Sequence, residues 1–171
     1  MNVQEGDTKS LFQKEISVWA LVFAFFTMII VIAIFLLTEQ LPDVSAAESN
    51  VVNDFLVKWF GDISFLYDKQ TGLWLGIHIR HWAHTTEFFL LGIFASLTIW
   101  FTVKPAILKT GIISTGFCTA ASLVDQCHKL LVPGRHFDSF DLLMDAAGYV
   151  VAVLMILIIC EIFVPRLQCV S

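Results

Sequence analysis

Residues 125–148 read D-Q-C-H-K-L-L-V-P-G-R-H-F-D-S-F-D-L-L-M-D-A-A-G, with four aspartates, two histidines, a lysine and an arginine set between two apolar runs. Pro133-Gly134 marks a tight turn, because proline presets φ and glycine tolerates φ above zero. Past the turn, Asp141, Asp145, Gly148 and Ala152 recur at i, i+4, i+7 and i+11, one face of a helix. A helix entering an apolar span with two carboxylates on one face needs partners for them. Arg135, six residues before Asp141, is the expected partner of the Asp141/Asp145 face.

The flanking chain is that of a membrane protein. At 171 residues it is one domain's worth of sequence, 57% apolar, with a mean hydropathy of +0.79 and long uncharged runs. A net charge of −5, with the acids concentrated in the loops, gives nucleic-acid binding no support. The four cysteines (Cys118, Cys127, Cys160 and Cys169) show neither a C-x-x-C pair nor zinc spacing. No cofactor is called for by the composition.

Ile16 to Leu37 is an uncharged run of 22 residues, long enough to cross a hydrocarbon core of roughly 30 Å. A cleaved signal peptide is the rival reading, but its apolar core would span only about 7–15 residues, so a retained anchor is expected. Within residues 39–80, Val51, Val52, Phe55, Leu56, Trp59 and Phe60 recur at helical spacing opposite Asn53, Asp54 and Lys58. Ser49 or Asn50 can cap this amphipathic helix and Gly61 can end it. It is read as lying along the membrane surface or lidding the bundle, with plain packing against the spans as the alternative.

A second span is completed by the uncharged run 88–103, preceded by Arg80, His84 and Glu87 on one helical face. A third, roughly 106–124, is rich in Gly, Ser, Thr and Ala, as suits close helix packing. A fourth runs from about Leu142 to Val164 and ends at Pro165-Arg166. The chain thus reads as an all-α, integral membrane four-helix bundle with a short interfacial amphipathic helix between the first two spans. Residues 1–15 form a cytoplasmic N-terminal segment, 16–165 a single transmembrane domain and 166–171 a cytoplasmic tail. Helix counting brings the start of the second span, the end of the third and the start of the fourth to one membrane face. The ten Lys/Arg residues divide five and five between the faces, so their number sets no direction. Lys9, Lys14, Lys104, Lys109 and Arg166 lie in short segments, which places the termini in the cytoplasm and the polar cluster outside.

At these residues the sequence resembles the VanZ family of small bacterial membrane proteins, associated with glycopeptide resistance. Arg80, His81, His84 and Glu87 match that family's motif at the start of one span. Asp125, His128, Pro133, Gly134, Arg135, Asp141, Asp145 and Gly148 match its later motif, and the resemblance covers roughly residues 11–165. Gln126 stands where the family often has Glu, and Lys129 where it often has Gln, so both make the local charge more positive. The resemblance implies a multi-pass protein linked to reduced susceptibility to glycopeptides, especially teicoplanin.

The candidate ligand-binding residues are therefore Arg80, His84, Glu87, Asp125, His128, Arg135, Asp141 and Asp145. As a pocket, cations among them would hold a phosphate, pyrophosphate or carboxylate. Membrane lipids, a lipid-linked wall precursor or a lipoglycopeptide are the partners such a site suits. As a metal centre, His84, Glu87, Asp125 and His128 would be the ligands of an enzyme acting on a lipid-linked substrate. That alternative is disfavoured because Lys129 and Arg135 sit among the ligands. A buried ion-pair network that fixes helix register is the third reading.

Overall fold

The computed structural model describes residues 3–102 and 107–168, with side chains described over 18–102 and 107–162. Among these lie five helices: α1 (Val3–Glu39), α2 (Pro42–Phe60), α3 (Ile79–Thr102), α4 (Ile107–Lys129) and α5 (Ser139–Gln168). A two-stranded antiparallel hairpin, β1 (Tyr67–Asp68) and β2 (Leu73–Trp74), precedes α3. Four helices are long and apolar enough to cross a membrane: 18–39 within α1, α3, α4, and 139–162 within α5. A spanning segment must satisfy its own backbone polar groups, which is why each forms one continuous helix.

The bundle forms around α3, which packs most extensively against α5 and next against α1. Two glycines allow that approach. A Cβ on Gly92 would stand 3.0 Å from the backbone of Tyr149, and one on Gly148 would strike the Thr85 carbonyl and the Phe89 nitrogen. The core between them holds Ile34, Phe88, Leu91, Ala95, Cys118 and Tyr149. Outside, the polarity is inverted relative to a water-soluble protein. On α4 the buried face is Thr110, Ser114, Cys118, Ser122, Asp125, Gln126 and Lys129. The exposed face of the same helix carries Leu108, Ile112, Ile113, Phe117, Leu123 and Val124. A helix that faces hydrocarbon outward and polar groups inward belongs in a bilayer.

Several boundaries differ from the sequence reading. The amphipathic helix starts not at Ser49 or Asn50 but at Pro42, after an extended Leu41. Proline suits the first helical turn, where its missing N–H is no loss, and Asp43 complements the helix dipole there. Ser49 instead donates to the Ser45 carbonyl within the helix. Gly61 does end α2, its N–H bonding to the Val57 carbonyl at 2.9 Å. No residue of α2 is buried, and Val51, Phe55 and Trp59 remain mostly exposed. The third span runs on past Val124 to Lys129, and the fourth continues through Pro165 to Gln168. The link at Lys104-Pro105 and the tail beyond Gln168 lie outside the described residues.

The hairpin had no counterpart in the sequence reading. Its turn is built locally: Asp68 accepts from the Gln70 N–H at 2.9 Å and the Thr71 hydroxyl at 2.7 Å, and Gly72 takes φ +69°. These bonds hold the Asp68 carboxyl below its ordinary pKa. Trp74 then donates from Nε1 to Asn53 Oδ1 at 2.8 Å, while its carbonyl receives Trp82 Nε1 at 3.0 Å. The hairpin thereby fastens α2 to the beginning of α3.

Candidate functional site: a buried charge cluster beneath a polar cavity

The expected turn at Pro133-Gly134 is present. Gly134 has φ +80°, and the Arg135 N–H bonds the Val132 carbonyl at 3.1 Å. Asp138 then caps α5, its carboxylate accepting the Phe140 N–H at 2.8 Å. This geometry reverses the chain and brings Asp141 and Asp145 down one face of α5 against α3 and α4.

At that face His84 of α3, Asp125 and Lys129 of α4, and Asp141 and Asp145 of α5 come together. Asp125, Lys129, Asp141 and Asp145 are fully buried, and His84 is 9% exposed. Lys129 Nζ lies 2.9 Å from Asp141 Oδ2, 3.3 Å from His84 Nε2 and 3.6 Å from Asp125 Oδ2. His84 Nε2 stands 3.5 Å from Asp141 Oδ2, and its Nδ1 stands 3.5 Å from Asp145 Oδ1 and 3.9 Å from Glu87 Oε2. The other carboxylate oxygens are fixed from outside the cluster. Thr38 at the end of α1 donates to Asp125 Oδ1, Ser122 donates to Asp145 Oδ2 at 2.7 Å, and His81 Nδ1 lies 2.7 Å from Asp141 Oδ1.

Six of the eight expected site residues therefore occupy this cluster or its rim: His84, Asp125, Asp141 and Asp145 within it, and Glu87 and Arg80 beside it. Two bond outside the cluster, although Arg135 lines the same cavity as Arg80. His128 points away from the interior and pairs with Glu39 of α1, Nε2 to Oε1 at 2.7 Å. Arg135 makes no contact with Asp141 or Asp145. Its Nε donates to the Gln40 carbonyl at 3.0 Å and its NH2 group to the Leu37 carbonyl at 3.4 Å. The reason is physical: the last carbonyls of a helix have no intrahelical partner, and a guanidinium arriving from the turn satisfies them while complementing the negative end of α1. The buried acids are served by Lys129 instead. Sequence spacing had given Lys129 a secondary place, and it had not singled out Thr38, Ser122 or the bond from His81 to Asp141. Nothing in the local periodicity of Thr38 or Ser122 marks them, because both contacts cross between helices.

Above the cluster, at the end of the bundle, a cavity of about 150 Å³ is lined by Gln40, Glu48, Arg80, His84, Glu87 and Arg135, together with apolar side chains including Leu37 and Val52. The α2 helix supplies one wall. Burial, and after it the positive charge of Arg80, holds the Arg135 guanidinium below its ordinary pKa. Two guanidiniums therefore face one partly enclosed space and repel each other across it. Such a space can accept an anion, while the cluster beneath can accept a cation or stand as a closed ion-pair network.

No curated protein and no solved structure shows a significant match to this chain. The family model described as VanZ/LLP1 matches residues 23–160, the segment that holds the second and third spans, most of the first and fourth, the cavity and every cluster residue. On that match, which covers well over half of the sequence, this membrane protein belongs to the VanZ/LLP1 family.

Proposed function

We propose that the cavity binds or shields an anionic cell-envelope ligand at the outer face of the membrane, and that this lowers susceptibility to glycopeptides such as teicoplanin. The observation that carries the reading is the placement of Arg80 and Arg135 on one cavity, where the charge of Arg80 opposes that of Arg135. A phosphate, pyrophosphate or carboxylate between them would remove that repulsion, and guanidinium groups recognise such oxyanions with paired N–H donors. Arg135 is held in place by the carbonyls of Leu37 in α1 and Gln40 just past its end, so its orientation is set before a ligand arrives. The apolar residues on the same wall and the exposed face of α2 suit a ligand that also carries a lipid tail. The termini are then cytoplasmic and the cavity extracytoplasmic.

Purified protein in nanodiscs tests this with a polyprenyl pyrophosphate as probe. Binding is expected to weaken as salt rises, since the groups lie near water and are screened over about 8 Å at physiological ionic strength. Arg80→Ala and Arg135→Ala should each reduce affinity at least tenfold, and the double variant should not lower susceptibility to teicoplanin when expressed in a sensitive cell. Unchanged affinity in both single variants would overturn the reading.

A further inference from the structure

Seven buried side-chain atoms among the described residues have no hydrogen-bond partner, and three of them are ionisable: His84 Nδ1, Asp125 Oδ2 and Asp145 Oδ1. The others, on Ser96, Thr110, Ser114 and Gln126, are neutral hydroxyls or an amide. The three ionisable residues do not lie at random. Each offers one potential ligand atom, and these atoms all lie within 4.8 Å of one another. A buried polar atom without a partner costs roughly 1–3 kcal/mol, and more when charged, so three in one place require an explanation.

The far sides of these groups are already engaged. Thr38 holds Asp125 Oδ1 and Ser122 holds Asp145 Oδ2, which leaves one free oxygen on each carboxylate. His84 has Nδ1 free, while Nε2 faces Lys129 Nζ at 3.3 Å and Asp141 Oδ2 at 3.5 Å. Metal-binding histidines usually give their second ring nitrogen to a carboxylate, and metal-binding carboxylates are themselves hydrogen-bonded. The charge balance runs the same way. Asp125, Asp141 and Asp145 are fully buried with a single fully buried cation among the described residues, Lys129, so carboxyl groups outnumber ammonium groups there by three to one. His81 reaches Asp141 alone, on the opposite oxygen from Lys129. Lys129, 3.6 Å from Asp125 Oδ2, does not cancel the deficit, because its closer bond is to Asp141.

We infer that His84 Nδ1, Asp125 and Asp145 form a binding site for one divalent cation of the class that takes mixed imidazole and carboxylate ligands, such as Mn²⁺ or Zn²⁺. Binding requires the proton of His84 to sit on Nε2, directed at Asp141, with Lys129 turned to Asp141 and away from the ring. The 3.5 Å between His84 Nδ1 and Asp145 Oδ1 matches the edge between two ligands each about 2.1 Å from a tetrahedral ion. His84 and Glu87 also line the cavity above, which gives an ion a route from the membrane surface. The site differs from the ligand set expected from sequence, replacing Glu87 and His128 with Asp145. It does not depend on anion binding by Arg80 and Arg135.

The test uses the full chain, purified on a tag without histidine and stripped with a chelator, then dialysed to equilibrium against Mn²⁺ or Zn²⁺. Elemental analysis should show one ion per chain, and returning the ion should raise Tm above that of the stripped protein. Asp145→Asn and His84→Gln preserve side-chain shape. Each should lower affinity at least tenfold and remove the thermal shift, while His136→Ala, an exposed histidine outside the cluster, keeps both. Circular dichroism establishes that the variants are folded. If a variant does not fold, the wild-type response to stripping and return of the ion still decides the matter. Neither ion reaching one per wild-type chain, or folded Asp145→Asn binding as tightly as wild type, would overturn the site.

Discussion

Lys129 Nζ lies 2.9 Å from Asp141 Oδ2, and neither side chain reaches solvent. The pair joins the last turn of α4 to the first turn of α5 beneath the Pro133-Gly134 reversal. Removing one member of a buried ion pair strands the other, typically at a cost of about 3–5 kcal/mol. Lys129→Met is therefore expected to destabilise the protein by that amount in a detergent unfolding titration. Adding Asp141→Asn to Lys129→Met should recover part of the loss, and absence of any recovery would show that the two do not act as a pair.

Arg135 is expected to behave differently. Its guanidinium serves the Leu37 and Gln40 carbonyls, and hydrogen bonds to charged groups contribute about 1.5–3 kcal/mol. Arg135→Ala should cost no more than that. Its effect should add to that of Asp141→Asn within about 0.5 kcal/mol, as for residues sharing no partner. A coupling energy well above that value in a double-mutant cycle would place the arginine on the carboxylate after all.

The two glycines at positions 116 and 148 should separate packing from propensity. Gly148→Ala drives a methyl group into the α3 backbone at Thr85, and overpacking of this kind costs about 1–3 kcal/mol. Gly116→Ala meets nothing within 4 Å and gains about 1 kcal/mol of helix propensity. Thermal melts of the two variants are thus expected to move in opposite directions.

Sidedness is open to thiol labelling in intact cells, after replacing Cys118, Cys127, Cys160 and Cys169. Cysteines introduced at Asp54 and Ser139, both exposed near the cavity end, should react with an impermeant reagent. One introduced at Lys109, exposed at the start of α4, should react only after lysis. The reverse pattern would turn the cavity to the cytoplasm and remove an extracytoplasmic ligand from consideration.

Much of this architecture was legible in the residues. The four spans follow from uncharged length, the turn from Pro133-Gly134, and the meeting of Arg80, His84, Asp125, Asp141 and Asp145 at one end from counting helices. Partner choice was not legible. Arg135 is nearer to Asp141 in sequence, yet it turns toward α1 because the carbonyls of Leu37 and Gln40 at the end of that helix lie on that side. Lys129 reads as one cation of the polar cluster, and only the rotation of α4 shows that its ammonium meets Asp141. The case against a metal rested on Lys129 and Arg135 among the ligands; Arg135 turns away to α1, while Lys129 stays within the cluster. His128 stands apart from the cluster because one residue along a helix is a rotation of about 100°, enough to move it from the interior beside Lys129 to Glu39 at the rim.

The polar interior of α4 also bears on how the protein is made. Mean hydropathy over the spanning windows is 3.1 in α1 and 2.5 in α5, but only 1.4 in both α3 and α4. Charged groups at the centre of a span oppose insertion by about 2.5–3.5 kcal/mol each, less near its ends. The insertion machinery therefore receives a strong first span, two hesitant middle ones and a strong last one. Lys129 can meet Asp141 only once the first turn of α5 has been made. A nascent chain cut short after Lys129 would leave its ammonium only Asp125, one turn back on the same helix, of the two carboxylates it meets in the finished bundle.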